Sequence, residues 1–233
     1  MTNIVTYQRT DLIATITMDD GKVNVMSPAM LSELNKALDR ALADKAVVVL
    51  IGRTGVFSAG FDLNVLKAGG AEADKMVRAG FELAKRMLSF PTPIVVACTG
   101  HALAMGVFLV LSADYRVGAE GEFKLGANEV AIGLTVPQVA IELCRLRLAP
   151  AHFNRAVINA EPYAPLGAVE AGFLDRIVPA TELMGVALGA ASQLAKLHMP
   201  SHAATKLRAR AQALEAITRA LEMEETASLG ANG

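Results

Sequence analysis

The spacing of apolar and polar positions changes several times along the chain, and each change marks an element. From Leu12 to Met18 apolar residues alternate, placing Leu12, Ala14, Ile16 and Met18 on one face, and Ile4 to Tyr7 can pair with them across Arg9, Thr10 and Asp11 as a β-hairpin. Ser27 before Pro28 is a helix start signal, and Leu31, Leu34, Leu38, Ala41 and Leu42 then recur at helical spacing as far as Asp44. Ala46 to Ile51 is a continuous apolar run rich in valine, which predicts a parallel strand covered on both faces and ended by Gly52. A helical stretch over 73–88 and a second buried strand, Ile94 to Cys98, repeat that order. Gly106 to Ala113 reads as a buried helix, Asp114 to Val117 as a short strand, and Gly118 to Glu122 as a polar turn. From Pro137 onward the signals are helical, punctuated by Pro150, Pro162, Pro165, Pro179 and Pro200, and Ser228 to Gly233 reads as a frayed end. With no linker or repeat between them, the parts predict an α/β domain over 1–179 and a helical region over 180–233.

Composition narrows the classes. Hydrophobic residues make up 53% of the 233 and charged residues 19%, so the chain is not disordered. Twenty-two Lys and Arg against 23 Asp and Glu leave a net charge of -1, which supplies no basic excess for nucleic acid. Low charge density and a mean hydropathy of +0.38 suggest apolar surface hidden in a cleft or between subunits. Met87 to Ala113 carries no Asp, Glu, Lys or Arg, but Pro91, Pro93 and the break at Thr99, Gly100 and His101 argue against a spanning helix, and no membrane partner is expected. Without a basic segment leading into an apolar one at the start, the expected location is cytoplasmic. Cys98 and Cys144 lie in apolar segments with no metal-ligand spacing, and His198 and His202 lack a third ligand, so no metal is expected.

Two small-residue turns carry the candidate chemistry. Ser58, Ala59 and Gly60 follow the first buried strand, and the segment Gly100 to Gly106 follows the second and opens an apolar helix whose first N–H groups have no intrahelical partner. Such a pair of turns either aims two backbone N–H donors at one developing oxyanion or is two ordinary strand-to-helix turns.

The segments Phe57-Ser58-Ala59-Gly60-Phe61-Asp62-Leu63 and Gly100-His101-Ala102-Leu103-Ala104-Met105-Gly106 resemble, in order and separation, the two signature segments of the crotonase superfamily, the enoyl-CoA hydratases and isomerases. The resemblance continues through Asp114-Tyr115-Arg116, through Phe123 to Gly133 and through Ala171 to Pro179. It implies an α/β spiral of ββα units with a C-terminal helical region that serves trimerisation, assembled as a homotrimer or a dimer of trimers. It also implies an acyl-CoA thioester as substrate, with coenzyme A part of the substrate and no separate cofactor. The thioester carbonyl would be held by the backbone N–H groups of Ala59 and Met105, the latter standing where the family usually has Gly.

Hydratases of the family carry two catalytic Glu residues. Here Phe108 occupies the first position and Glu129 the second, and the segment around Glu129 is most similar to mitochondrial-type 3,2-enoyl-CoA isomerases. The expected function is therefore transfer of a 3-enoyl-CoA double bond to the 2-position in fatty acid metabolism, with Glu129 as sole acid–base group. Hydration, a lyase activity, and acyl-CoA binding without catalysis are the alternatives. The substrate is expected to meet Lys22, Val23 and Val25 at its CoA half, and Ser58, Gly60, Phe61, Asp62, Leu63 and Gly106 around the turns. Phe108, Leu134 and Pro137 are expected to line the acyl pocket or the core. Asp62 reads equally well as a helix-start carboxylate, and Lys22 as an ordinary surface lysine.

Overall fold

The computed structural model describes residues 3–230, with side chains described as far as residue 223. Strands β1 (Val5–Thr10) and β2 (Ile13–Met18) form the antiparallel hairpin, from which Ala14, Ile16 and Met18 enter the core. Leu12 does not join them. It is 54% exposed in the turn, because β2 begins only at Ile13 after Asp11 has taken a positive φ. Helix α1 (Pro28–Ala43) starts where Ser27 Oγ accepts the Met30 N–H at 3.2 Å, with Pro28 in the first turn.

The chain then repeats one unit. Strand β3 (Val47–Ile51) leads to β4 (Gly55–Ser58) and helices α2 (Leu63–Ala68) and α3 (Gly70–Ser89); β5 (Ile94–Cys98) leads to β6 (Gly100–Leu103) and α4 (Met105–Leu111). Strand β7 (Tyr115–Ala119) leads to β8 (Leu125–Gly126), a single 3-10 turn at Val130–Ile132 and α5 (Gln138–Arg147). The first strands of these units join a six-stranded sheet of order β1-β2-β3-β5-β7-β9, parallel except for β1. The second strands form a small parallel sheet, β4-β6-β8. Of its short strands, β6 occupies a segment expected to be a turn, and β4 and β8 lie where no strand was expected.

Two expectations for the last hundred residues need correction. After α6 (Pro150–Val157) and α7 (Pro165–Ala171), residues Arg176–Val178 form β9, the edge strand of the main sheet, where only helix was expected. Three residues are too few to display a period. The helical region expected from 180 packs on the sheet. Helix α8 (Leu183–Leu194) lays Leu183, Ala187 and Ala191 on Val47, Val49, Val95, Ala97 and Val117, covering the face of the sheet that α1, α3 and α4 leave open. This second cover is why β3 and β5 are apolar at every position. Helix α9 (Met199–Ala209) follows, and α10 (Ala211–Gly230) packs on α3 and α5 through Ile217, Ala220 and Leu221. The frayed end expected from Ser228 is helical to Gly230, and Ala231 to Gly233 lie outside the described residues. Among the described residues no helix is long and apolar enough to cross a membrane, and Met87 to Ala113 is divided among α3, β5, β6 and α4.

Asp114, at the entry to β7, ties α9 to the sheet. Its carboxylate accepts the Ile94 N–H at 2.7 Å, Lys206 Nζ at 2.7 Å and Arg210 Nη2 at 2.9 Å. Lys206 is only 6% exposed and also donates to the carbonyls of Phe90 and Thr92, while burial pushes its ammonium below the ordinary range. Removing Asp114 strands a buried charge. Asp114→Ala is expected to cost about 3–5 kcal/mol in urea unfolding, and a loss below about 1 kcal/mol would contradict this reading.

Candidate active site

The site is assembled from the loop after β2 and the turns after β4 and β6. In the first, the Asp20 carboxylate accepts the N–H groups of Lys22, Asn24 and Val25 at 2.7, 2.9 and 3.1 Å. Asn24, buried at φ 51, donates Nδ2 to the carbonyls of Met18 and Phe57. The loop is thus moulded before β4 meets it. Asn24 was not picked out from the sequence, although asparagine's tolerance of positive φ beside an Asp-Gly pair is a readable signal.

After β4 the backbone donors are spent one by one. Ala59 N–H donates to the Val23 carbonyl at 3.0 Å, and Gly60 N–H to Ser58 Oγ at 3.1 Å, while Ser58 Oγ donates to the Asn24 carbonyl at 2.7 Å. Ala59 is therefore not available as an oxyanion donor, contrary to the expectation. Gly60 turns the chain at φ 96, and the next N–H, that of Phe61, has no acceptor among the described residues. A methyl at Gly60 would lie 2.8 Å from Ala104 Cβ, 3.1 Å from the Leu103 oxygen and 3.4 Å from Met105 N. The two turns are thus in direct contact.

The second turn is strained. Ala104 sits at φ 48, ψ -125 and donates its N–H to the Gly126 carbonyl at 3.1 Å, so Met105 opens α4 with an N–H that has no acceptor among the described residues. Phe61 and Met105 therefore carry the first uncommitted donors of the paired turns. Gly106 allows the helix to press onto β4, since a methyl there would stand 2.4 Å from the Ser58 oxygen.

Glu129 follows β8, whose Leu125 and Gly126 pair with Ala102 and Leu103 of β6, the strand that leads into the second turn. Its carbonyl accepts the N–H groups of Ile132 and Leu134 at 3.0 and 2.9 Å, which coils the following turn and leaves Val130, Ile132 and Leu134 exposed. The side chain is 7% exposed, and Oε2 is buried with no hydrogen-bond partner. Burial pushes its carboxyl up to about 7. Such a group exchanges a proton near neutral pH. Asn128 Oδ1 beside it is likewise buried and unpartnered. Burial, and then the charge of Glu129, push the Cys144 thiol up to about 12, so it stays protonated.

The other expected contacts divide. Lys22, Val23, Leu63 and Leu134 are exposed, and Val25, Phe61 and Pro137 are partly so. Ser58, Gly106 and Phe108 are buried, and each is occupied in packing or hydrogen bonding within the chain. Phe108 belongs to the core, 6.1 Å from the Phe81 ring. Asp62 caps α2, accepting the Asn64 N–H at 2.9 Å. Among the described residues no three His, Cys, Asp or Glu side chains gather into a metal-binding group.

Residues 8–229 match the family model described as enoyl-CoA hydratase/isomerase. The chain belongs to that family. A solved enoyl-CoA hydratase/isomerase family protein from Pseudomonas syringae superposes with a TM-score of 0.94 at 48% identity, covering 96% of this chain and 97% of that one. A Mycobacterium tuberculosis protein, described in one solved structure as an enoyl-CoA isomerase and in another as a probable enoyl-CoA hydratase, gives TM-scores of 0.93 and 0.94 at 45% identity, covering 97% and 99% in the first and 98% and 98% in the second. The fold is the crotonase-like spiral of ββα units. A probable enoyl-CoA hydratase of Bacillus subtilis is 30% identical over 136 residues, 57% of this chain and 52% of that one. Human mitochondrial delta3-delta2-enoyl-CoA isomerase, at 24% identity and a TM-score of 0.88 over 97% and 93%, is more distant than these bacterial structures. The expected special likeness to mitochondrial isomerases therefore gives way to likeness to the family at large.

Because the folded carboxyl of Glu129 titrates higher than an unfolded one, the protonated form is favoured by folding, and stability falls as pH rises from about 4.5 through about 7. Glu129→Gln is expected to gain about 1–3 kcal/mol over the parent at pH 8 and to lose that advantage at pH 4. Chemical denaturation at the two pH values checks this, and a pH-independent difference would contradict it.

Proposed function

We propose that this protein moves the double bond of a 3-enoyl-CoA to the 2-position, with Glu129 as its only acid–base group. The observation that carries this reading is a single buried carboxylate poised near neutrality, while the place a second carboxylate would take in a hydratase is held by Phe108 in the core. In this reading the thioester oxygen accepts the N–H groups of Phe61 and Met105. Glu129 removes a proton from C2, and the electron pair spreads as a dienolate whose oxygen the two donors stabilise. The same carboxylic acid returns the proton at C4, the C3–C4 double bond becomes C2–C3, and no water is consumed. Lys22 and Val23 at the exposed loop tip meet the CoA half, and Leu63 and Leu134 offer exposed apolar surface near the acyl half. The homotrimer or dimer of trimers stays part of the proposal, supported by exposed Leu197, Leu207 and Met223 in the helical region.

Hydration of a 2-enoyl-CoA is the second reading. The hydratase names of relatives favour it, as does the buried, unpartnered Oδ1 of Asn128, an acceptor suited to hold a water beside Glu129. Glu129 would then take the water's proton as oxygen bonds to C3 and deliver a proton to C2.

Purified protein with a 3-enoyl-CoA should show conjugation by ultraviolet absorbance, with kcat/KM falling as pH drops through about 7 because the carboxylate is the active form. Glu129→Gln should lower it roughly a thousandfold. A water adduct formed rapidly from a 2-enoyl-CoA would establish the second reading, and binding without turnover of either substrate would overturn both.

A further inference from the structure

Helix α3 carries a buried glycine in its interior, Gly80, at a type of position where alanine is intrinsically the better helix former. What the missing side chain makes room for is explicit. A methyl built there would lie 2.5 Å from Phe61 Cε1, 2.6 Å from Phe61 Cζ and 3.4 Å from Met105 Sδ. Both residues that meet in this gap have a backbone N–H group with no acceptor among the described residues. The gap is also walled. The Phe61 ring meets Phe81, the next residue of α3, edge-on at 6.0 Å, and Phe81 leans on Phe108 of α4 at 6.1 Å.

We propose that Gly80 is a positioning residue for the two donors: the gap it leaves in α3 receives the Phe61 ring and the Met105 thioether, and so fixes the two backbone N–H groups relative to each other. Each donor needs such an anchor. Phe61 follows Gly60, the most permissive residue of its turn, and Met105 follows the strained Ala104, so neither peptide is held by its predecessor alone. A side chain seated in α3 converts the position of the helix into the orientation of the N–H. This also accounts for a methionine being tolerated at 105, because its thioether is housed against Gly80 and is fully buried.

A methyl at position 80 meets the far end of the ring, which Phe81 flanks edge-on, and in this proposal part of the resulting shift passes to the Phe61 peptide. Hydrogen bonds to a developing oxyanion depend steeply on such placement, whereas ground-state binding of the CoA portion does not. This inference rests on the reading of Phe61 and Met105 as carbonyl donors.

The test uses the full chain with Gly80→Ala, Phe61→Leu and the double variant. Gly80→Ala is expected to lower kcat roughly ten- to a hundredfold with KM changed less than about threefold. Leucine lacks Cε1 and Cζ, so the double variant should recover to within about fivefold of Phe61→Leu alone. Unchanged kcat in Gly80→Ala, or the same loss in the double variant, would overturn the proposal. If Gly80→Ala alone does not fold, Phe61→Leu and Met105→Ala, which empty the gap instead, should each lower kcat severalfold, and unchanged kcat in both would overturn it. If the parent turns over no enoyl thioester, the functional reading fails and the carbonyl stretch of bound butanoyl-CoA decides. A downshift in the parent, diminished in Gly80→Ala and regained in the double variant, supports the positioning role. The absence of a downshift in the parent overturns it.

Discussion

The close approach of Gly60 to the Ala104–Met105 peptide is the constraint on which the site depends. The parallel pairing of β4 with β6 brings the two turns level, and the absence of a side chain at Gly60 lets one backbone lie against the other. The rest follows from counting donors. Because Asp20 and Asn24 shape the preceding loop so that the Val23 carbonyl takes the Ala59 N–H, and Ser58 takes that of Gly60, the first uncommitted N–H falls on Phe61. On the other side Gly126 takes the N–H of Ala104, and the first uncommitted one falls on Met105. The arrangement is held at a cost in backbone strain at Ala104, of order 1–3 kcal/mol for such a conformation.

Glu129 is governed by a different balance. A carboxylate removed from water with one oxygen unpartnered is unfavourable when charged, and the protein tolerates this because the charge is optional near neutral pH. Burial therefore does two things at once: it lets the group exchange a proton near neutral pH, and it makes the folded state sensitive to pH. The neighbouring Cys144 thiol, held protonated, adds no charge to the pocket.

The main sheet was legible in sequence because strands covered on both faces are apolar at every position, as in Val47–Ile51 and Ile94–Cys98. Ser27 with Pro28 marked the first helix, and the local segment around Glu129 marked the carboxylate. What escaped was set by distant partners. Strands β4, β6, β8 and β9 are two to four residues long and carry no period of their own. That α8 belongs to the core could not be read from its own residues, since its cover is another element's face. Ala59 was favoured as a donor because small residues allow close approach, yet whether its N–H is free depends on the carbonyl of Val23, thirty-six residues earlier in the chain.

The central claim is that one carboxylate, opposite two backbone donors, moves protons at the carbon next to the thioester. Hydrogen–deuterium exchange at C2 of a 3-enoyl-CoA, followed by mass spectrometry in heavy water with the parent protein and Glu129→Gln, tests it most directly. The account predicts deuterium entering substrate and product with the parent and almost none with the variant. Equal incorporation with both proteins, or none with the parent despite bound substrate, would contradict it.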